Sequence, residues 1–141
     1  MSTAVYLLDT NIVSELRKPR PNPKVVAWLH DVEDSDLHLS AVTVGEIQAG
    51  IELTRTQDPV KAEELESWAD QVADSYNVLA MDAVCFRRWA KLMHRRSDDL
   101  LEDALIAATA IAHHLIVVTR NVSDFAVFGV RIINPFEAKL G

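Results

Sequence analysis

Residues 5–11 of the chain read Val-Tyr-Leu-Leu-Asp-Thr-Asn. The four apolar residues predict a short buried strand, and the three polar residues that follow are types that end strands and begin helices. A short helix is predicted next, over residues 12–16. In a parallel sheet, Asp9 would lie at the carboxyl end of its strand, where such sheets bind their ligands.

The alternation of strands and helices continues along the chain. Further strands are predicted at residues 37–39, 78–80, 115–118 and 131–133, and helices at residues 24–31, 44–53, 59–75, 83–96 and 104–112. This order favours an α/β fold with a mostly parallel central sheet of about five strands, flanked by helices on both faces. The entirely apolar segment 115–118 is expected to be the central strand.

Composition and charge narrow the class of protein. The 141 residues are 49% hydrophobic and 25% charged, which predicts a single domain over residues 1–141. Cys85 is the single cysteine, so a disulfide within the chain and a cysteine-rich zinc site are excluded. With no apolar run of about 20 residues and no basic segment before Asp9, we expect a cytoplasmic protein without a membrane span.

The net charge of −7 disfavours a non-specific nucleic-acid binder. It is compatible with an enzyme that meets nucleic acid through metal ions and a local basic strip. Five basic residues fall between positions 87 and 96, and three of them (Arg87, Lys91 and Arg95) are expected on one helix face. This face would contact either an RNA backbone or solvent alone. A second cluster, Arg17, Lys18 and Arg20, follows the first strand.

Four acidic residues adjoin apolar elements rather than a solvated face: Asp9, Glu46, Asp103 and Asp124. Buried carboxylates that share one site need a cation. With no cysteine cluster and no helical histidine pair, the ligands would be oxygen atoms, which favours Mg²⁺, or Mn²⁺, over zinc. Mg²⁺ held by a few carboxylates is typical of phosphoryl chemistry.

Each acid also has a purely structural interpretation. Asp9 could only cap a helix, Asp103 could favour a helix dipole, Glu46 could be a half-exposed helix residue, and Asp124 could belong to a turn. Glu102 competes with its neighbour Asp103, and periodicity does not choose between them. Residue spacing alone thus makes an acidic metal site plausible without establishing it.

Three segments together resemble the PIN-domain ribonucleases, and among them the VapC toxins of bacterial toxin–antitoxin pairs, nearest to the FitB-like subgroup. The segments are Leu-Leu-Asp-Thr-Asn-Ile at 7–12, Ser-Ala-Val-Thr-Val-Gly-Glu-Ile-Gln-Ala-Gly at 40–50, and Glu-Asp-Ala-Leu-Ile-Ala-Ala-Thr-Ala at 102–110 with its continuation through 118–125. Their order and spacing match over nearly the whole chain. The resemblance implies a PIN fold and RNA cleavage that depends on a divalent metal.

On the matching positions, the resemblance implies that Asp9 and Asp103 are the principal metal ligands and Glu46 the third acid. Asn121 stands where some members carry an acid, so either its carbonyl oxygen or Asp124, acting through water, would complete the site. The resemblance further implies that Thr119 orients a water or a carboxylate; these six residues are the candidate catalytic set.

The resemblance also implies partners. It predicts a homodimer and a cognate VapB-type antitoxin that blocks the acidic pocket with a basic side chain. Promoter DNA would be bound only through the toxin–antitoxin complex. No membrane partner is expected.

Other chemistry is weakly supported. A phosphatase of the haloacid dehalogenase type needs an acid where Asn11 stands, and the four glycines form no phosphate-binding loop. A module that keeps the fold but has lost catalysis is the alternative from a different class.

Cys85 is expected to be a core residue, and metal binding at His113 and His114 is not expected. Gly45 and Gly50 are expected to mark close packing or a close ligand.

Overall fold

The computed structural model describes residues 4–137, and within that range five strands form one sheet. The strands are β1 (Tyr6–Leu8), β2 (Leu37–Ser40), β3 (Asn77–Leu79), β4 (Ile116–Val118) and β5 (Ile132–Ile133). Their order is β3-β2-β1-β4-β5, and every neighbouring pair is parallel. The α/β prediction is confirmed, but the central strand is β1, and β4 lies beside it.

Seven α-helices connect the described strands, because parallel neighbours require long crossover connections. They are α1 (Thr10–Leu16), α2 (Pro23–His30), α3 (Ala41–Arg55), α4 (Pro59–Ser75), α5 (Ala83–Met93), α6 (Leu101–His113) and α7 (Val122–Ala126). Helix α7 was not predicted: its five residues are too few to show a helical repeat of apolar positions.

The two faces of the sheet bury separate cores. Successive residues of a strand point to opposite faces, so Leu7 packs into the core that α6 covers, with Phe125 of α7, whereas Leu8 packs with Ile12 and Val13 of α1. Both leucines are fully buried, and burial of a leucine side chain contributes about 1.5–3 kcal/mol. Helices therefore cover both faces, as predicted.

Several local predictions were wrong. Helix α5 ends at Met93, so Arg95 does not share a helix face with Arg87 and Lys91; Arg95 instead has a left-handed backbone, with φ of 62°. A Cβ added at Gly45 or Gly50 would meet no heavy atom within 4 Å, so close packing explains neither glycine, and the alternative of a close ligand stays a prediction.

Two further predictions concern the ends of the chain and a membrane span. The ends of the predicted domain, residues 1–3 and 138–141, lie outside the described residues, as does the start of the segment searched for a signal sequence. Among residues 4–137, no helix combines the length and apolarity that crossing a membrane requires.

Candidate active site

Asp9 joins the centre of the sheet to the first helix. Its backbone N–H donates to the carbonyl of Val118 at 2.9 Å, and its Oδ1 accepts the Thr10 N–H at 2.8 Å as the N-cap of α1. The side chain is only 4% exposed. The capping interpretation is therefore correct, and the same carboxylate lies buried at the carboxyl end of β1.

The second oxygen of Asp9 is held by two side chains. The Thr119 hydroxyl donates to Oδ2 at 2.8 Å, and the Asn11 amide donates to the same oxygen at 3.2 Å. Thr119 is fully buried after β4, and its hydroxyl oxygen accepts the Asn121 N–H at 2.9 Å. These bonds fix the direction of the carboxylate.

Glu46 reaches the same region from α3. Its Oε1 is buried and, among the described residues, has no hydrogen-bond partner. Burial, together with the negative charges of Glu102 and Asp9, raises the pKa of Glu46 to about 7. An ionised carboxylate with an unpartnered buried oxygen needs a cation or a proton.

Asp103 and Asp124 complete the acidic group. Asp103 lies half-buried in the first turn of α6, and burial with the charges of Asp9 and Asp124 raises its pKa to about 6. Burial also raises the pKa of Asp9, although its bond from Thr119 works in the opposite direction, and the charge of Asp124 adds to the rise. Asp124 is exposed on α7. The four predicted acids thus form one charged group, named the acidic pocket below: Asp124 raises the pKa of Asp9 and Asp103, and Asp9 and Asp103 raise that of Glu46.

Helix α6 begins three residues earlier than predicted, and this changes the interpretation of its acids. Leu100 occupies the N-cap position without a side-chain bond, so Asp103 lies inside the first turn rather than opening the helix. Glu102 is exposed, yet its charge raises the pKa of both Glu46 and Asp103. The charge of Glu102 therefore lies near both carboxylates, and the choice between Glu102 and Asp103 as a metal ligand stays a prediction.

Asn11 is a pocket residue that the candidate set omitted. Besides Asp9, its amide N–H contacts the Thr119 hydroxyl at 3.3 Å, and its Oδ1 accepts the Arg120 N–H at 3.3 Å. Its position two residues after Asp9, in the first turn of a helix that starts at the sheet edge, was the available signal. Asn121, by contrast, is exposed at the N-cap of α7 and makes no side-chain cap bond.

The donor set suits a hard divalent ion. All four acids offer oxygen atoms, and the unpartnered oxygen of Glu46 marks where a cation would relieve the repulsion. The pocket is not a tight cage: within residues 4–137, the group of potential ligands whose atoms all lie within 4.8 Å of one another is a different one, Asp82, Cys85 and His113. Mg²⁺ keeps several waters and tolerates such spacing.

A groove of about 280 Å³ extends from the pocket between α1, α3 and α4. Glu46 lines it at one end, and Arg17 and Lys61 add positive charge along its wall. The Arg17 guanidinium lies 5.9 Å from the centre of the Trp68 ring. In the predicted basic strip, Arg96 is tied to the backbone of the protein, donating to the carbonyl of Val127 at 3.0 Å.

Known relatives match this chain over nearly its full length. VapC ribonuclease Y4jK of Sinorhizobium fredii is 37% identical over 144 residues, covering 94% of this chain and 99% of the relative. Toxin FitB of Neisseria gonorrhoeae is 35% identical over 140 residues, with the same coverage.

Solved structures agree with these relatives. The crystal structure of FitAcB from Neisseria gonorrhoeae matches with a TM-score of 0.84 and 31% identity, over 95% of this chain and all of the other. A toxin–antitoxin complex from Klebsiella pneumoniae matches with a TM-score of 0.71 and 26% identity, over 94% and 99% of the two chains. The PIN domain model matches residues 6–128. The chain therefore belongs to the PIN domain family, in the group that contains the VapC and FitB toxins.

Proposed function

We propose that this protein is the toxin of a type II toxin–antitoxin system and a ribonuclease that hydrolyses RNA phosphodiester bonds with Mg²⁺. The observation that carries the proposal is the pocket of four mutually repelling carboxylates, in which a buried oxygen of Glu46 has no partner among the described residues. The names of the relatives, a VapC ribonuclease and a FitB toxin, support the same reaction.

Asp9, Glu46 and Asp103 would hold the ion directly, and Asp124, at the exposed edge, through water. When bound, Mg²⁺ supplies a water of lowered pKa and positive charge beside the scissile phosphate. The predicted carbonyl ligand at Asn121 is the less supported choice for the fourth position, because the charge of Asp124 already acts on Asp9 and Asp103.

The other residues position rather than react. Thr119 and Asn11 hold the Oδ2 atom of Asp9 in one direction, so that its carboxylate does not turn away from the pocket when the ion leaves. Arg17 and Lys61 lie along the groove that opens beside Glu46. Their charges would contact phosphates of RNA bound in this groove.

The test is cleavage of total cellular RNA by the purified protein. We expect cleavage with Mg²⁺ or Mn²⁺, none with chelator, and none with Asp9→Asn at any Mg²⁺ concentration. Asp74→Asn, which removes one exposed charge at the end of α4, is the matched control and should cleave at the wild-type rate. Wild-type cleavage by Asp9→Asn would contradict the site, and no cleavage by any form would favour a non-catalytic binding module.

The partner proposals are a VapB-type antitoxin and a second copy of the chain. They rest on the likeness to a solved toxin–antitoxin complex and on the acidic pocket, which a basic side chain would neutralise. Co-expression with the product of a neighbouring reading frame should yield a stable complex without RNase activity. Sedimentation of the toxin alone would show whether it is a dimer, and DNA binding is expected only from the complex.

A further inference from the structure

A second group of metal-binding side chains lies outside the acidic pocket, where α5 begins and α6 ends. Single ligand atoms of Asp82, Cys85 and His113 lie within 4.8 Å of one another. We infer that Asp82, Cys85 and His113 form a binding site for a thiophilic divalent ion of the Zn²⁺ class. The inference is independent of the proposed ribonuclease activity.

The donor chemistry distinguishes this group from the acidic pocket. A thiolate, an imidazole and a carboxylate are the ligands that zinc selects, whereas Mg²⁺ prefers oxygen alone. Zinc bonds of about 2.0–2.3 Å require a sulfur–nitrogen separation of about 3.6 Å. From separations within 4.8 Å, the ligands need to approach only slightly.

One of the three ligands, Cys85, is fixed by packing, whereas the side chains of Asp82 and His113 can move toward an ion. Cys85 is fully buried, its backbone N–H donates to Asp82 Oδ1 at 2.9 Å, and its thiol also hydrogen-bonds to this carboxylate, so an ion would take the place of the thiol proton. Asp82 and His113 are both exposed, so rotation of their side chains costs little packing. Three protein ligands leave a fourth position that water can fill.

The two helices already hold the ligands in place. Asp82 is the N-cap of α5, and His113 belongs to the last turn of α6. At the opposite end of the pair, the Trp89 indole donates to the carbonyl of Leu101 at 3.3 Å, so α5 and α6 run antiparallel. An ion would cross-link them about 15 Å along α6 from Asp103. Binding replaces the Cys85 S–H bond with a metal–sulfur bond and releases that proton to solvent.

The test is titration of the full-length protein with Co²⁺, whose bond to a thiolate gives a charge-transfer absorption that oxygen ligands do not produce. The Asp9→Asn background weakens binding at the acidic pocket. We expect about one Co²⁺ per chain with this absorption, displaced by Zn²⁺ and not by excess Mg²⁺. His113→Ala should weaken binding at least about 10-fold. His114→Asn should bind normally, because asparagine tolerates the left-handed conformation of that residue (φ 58°).

Cys85→Ser should abolish the absorption, but Cys85 is a core residue and its variant could unfold. His113→Ala changes only an exposed side chain, so it tests the site in a folded protein. A titration without thiolate absorption in the folded wild-type chain would overturn the inference. So would equal Co²⁺ affinity in the wild-type chain and His113→Ala.

Discussion

Asp9 and Asp82 occupy the same local position in two different regions of the molecule. Each is the N-cap of a helix, and each accepts a backbone N–H through Oδ1, at 2.8 Å and 2.9 Å respectively. Their carboxyl groups nevertheless behave oppositely. Burial raises the pKa of Asp9, whereas the Cys85 N–H holds the pKa of Asp82 below its usual range, with a smaller contribution from His113.

The difference shows that a helix cap does not by itself distinguish a structural acid from a functional one. The surroundings decide. Asp9 is enclosed by the sheet and faces other acids, so its ionised form gains stability from a bound cation. Asp82 is exposed and its ionised form is already favoured without one.

The largest expected effect concerns the acidic region. Asp103→Asn should lower the rate of RNA cleavage at least about 100-fold, because the variant loses a charged ligand and the ion is held by fewer carboxylates. The rate is measured on a fixed RNA at saturating Mg²⁺. Asp70→Asn, an exposed acid of α4, is the control and should cleave normally. Equal rates for Asp103→Asn and the wild-type chain would mean that the coupled carboxylates are not the reaction centre.

The second prediction tests the Thr119 hydroxyl, which aims Asp9. Thr119→Val keeps the shape of a fully buried side chain but removes both the donor to Oδ2 and the acceptor for the Asn121 N–H. Cleavage should fall by about 10–100-fold and the Mg²⁺ concentration for half-maximal rate should rise, as for other residues that orient a metal ligand. Thr119→Ser retains the hydroxyl and should restore most of the activity. If Thr119→Ser and Thr119→Val lose activity equally, packing rather than the hydrogen bond explains the loss.

These two regions also show what sequence patterns can and cannot predict. The apolar segment 5–8 and its alternation with helices predicted the parallel sheet, because strand and helix periodicities are local properties. The four acids were predicted from their adjacency to apolar elements and from the resemblance to a family. The charges of Asp9 and Asp124 both act on Asp103, which agrees with the strand-end rule for parallel sheets, while the roles of these acids as ligands stay a prediction.

Other features depended on tertiary contacts that no local pattern encodes. Asn11 contacts Thr119 across 108 positions of the chain, so only the pairing of β1 with β4 makes it a pocket residue. The group at Asp82 and Cys85 was likewise hidden, because His113 joins it only through the packing of α5 on α6. The sequence alone predicted no metal binding at that histidine.

The third prediction uses pH to compare the regions. In the metal-free protein, the pKa values of Glu46 and Asp103 are raised to about 7 and about 6. Both groups therefore stabilise the fold at low pH, and that contribution is lost as the pH rises through 6 and 7. Since both side chains are partly solvated, we expect a loss of about 1–2 kcal/mol between pH 5 and pH 8, a fall of several degrees in Tm.

Mg²⁺ should reverse most of this fall, because a bound cation stabilises the ionised carboxylates against both burial and mutual repulsion, the two causes of the raised pKa values. Glu46→Gln should lose less stability than the wild-type chain over the same pH interval, since the amide does not ionise. Thermal unfolding followed by circular dichroism measures both. A wild-type Tm that is unchanged from pH 5 to pH 8 in chelator would show that the carboxylates do not repel one another in solution.

The smallest effect is expected at Asp82, and its pH dependence should have the opposite sign. The pKa of this carboxyl lies below its usual range, so its stabilising contribution is complete at neutral pH and is lost as the pH falls through the folded-state pKa, below about 4.

In chelator at pH 7, Asp82→Ala should lower Tm by about 2–4 °C through loss of the α5 cap. The difference should be smaller at pH 3, because protonation of the wild-type carboxyl becomes more favourable as the pH falls. Asp82→Asn keeps an oxygen acceptor for the Cys85 N–H and should retain most of the Tm at pH 7. A difference of equal size at both pH values would show that the charge of Asp82 contributes nothing to its cap, and the electrostatic contrast with Asp9 would then fail.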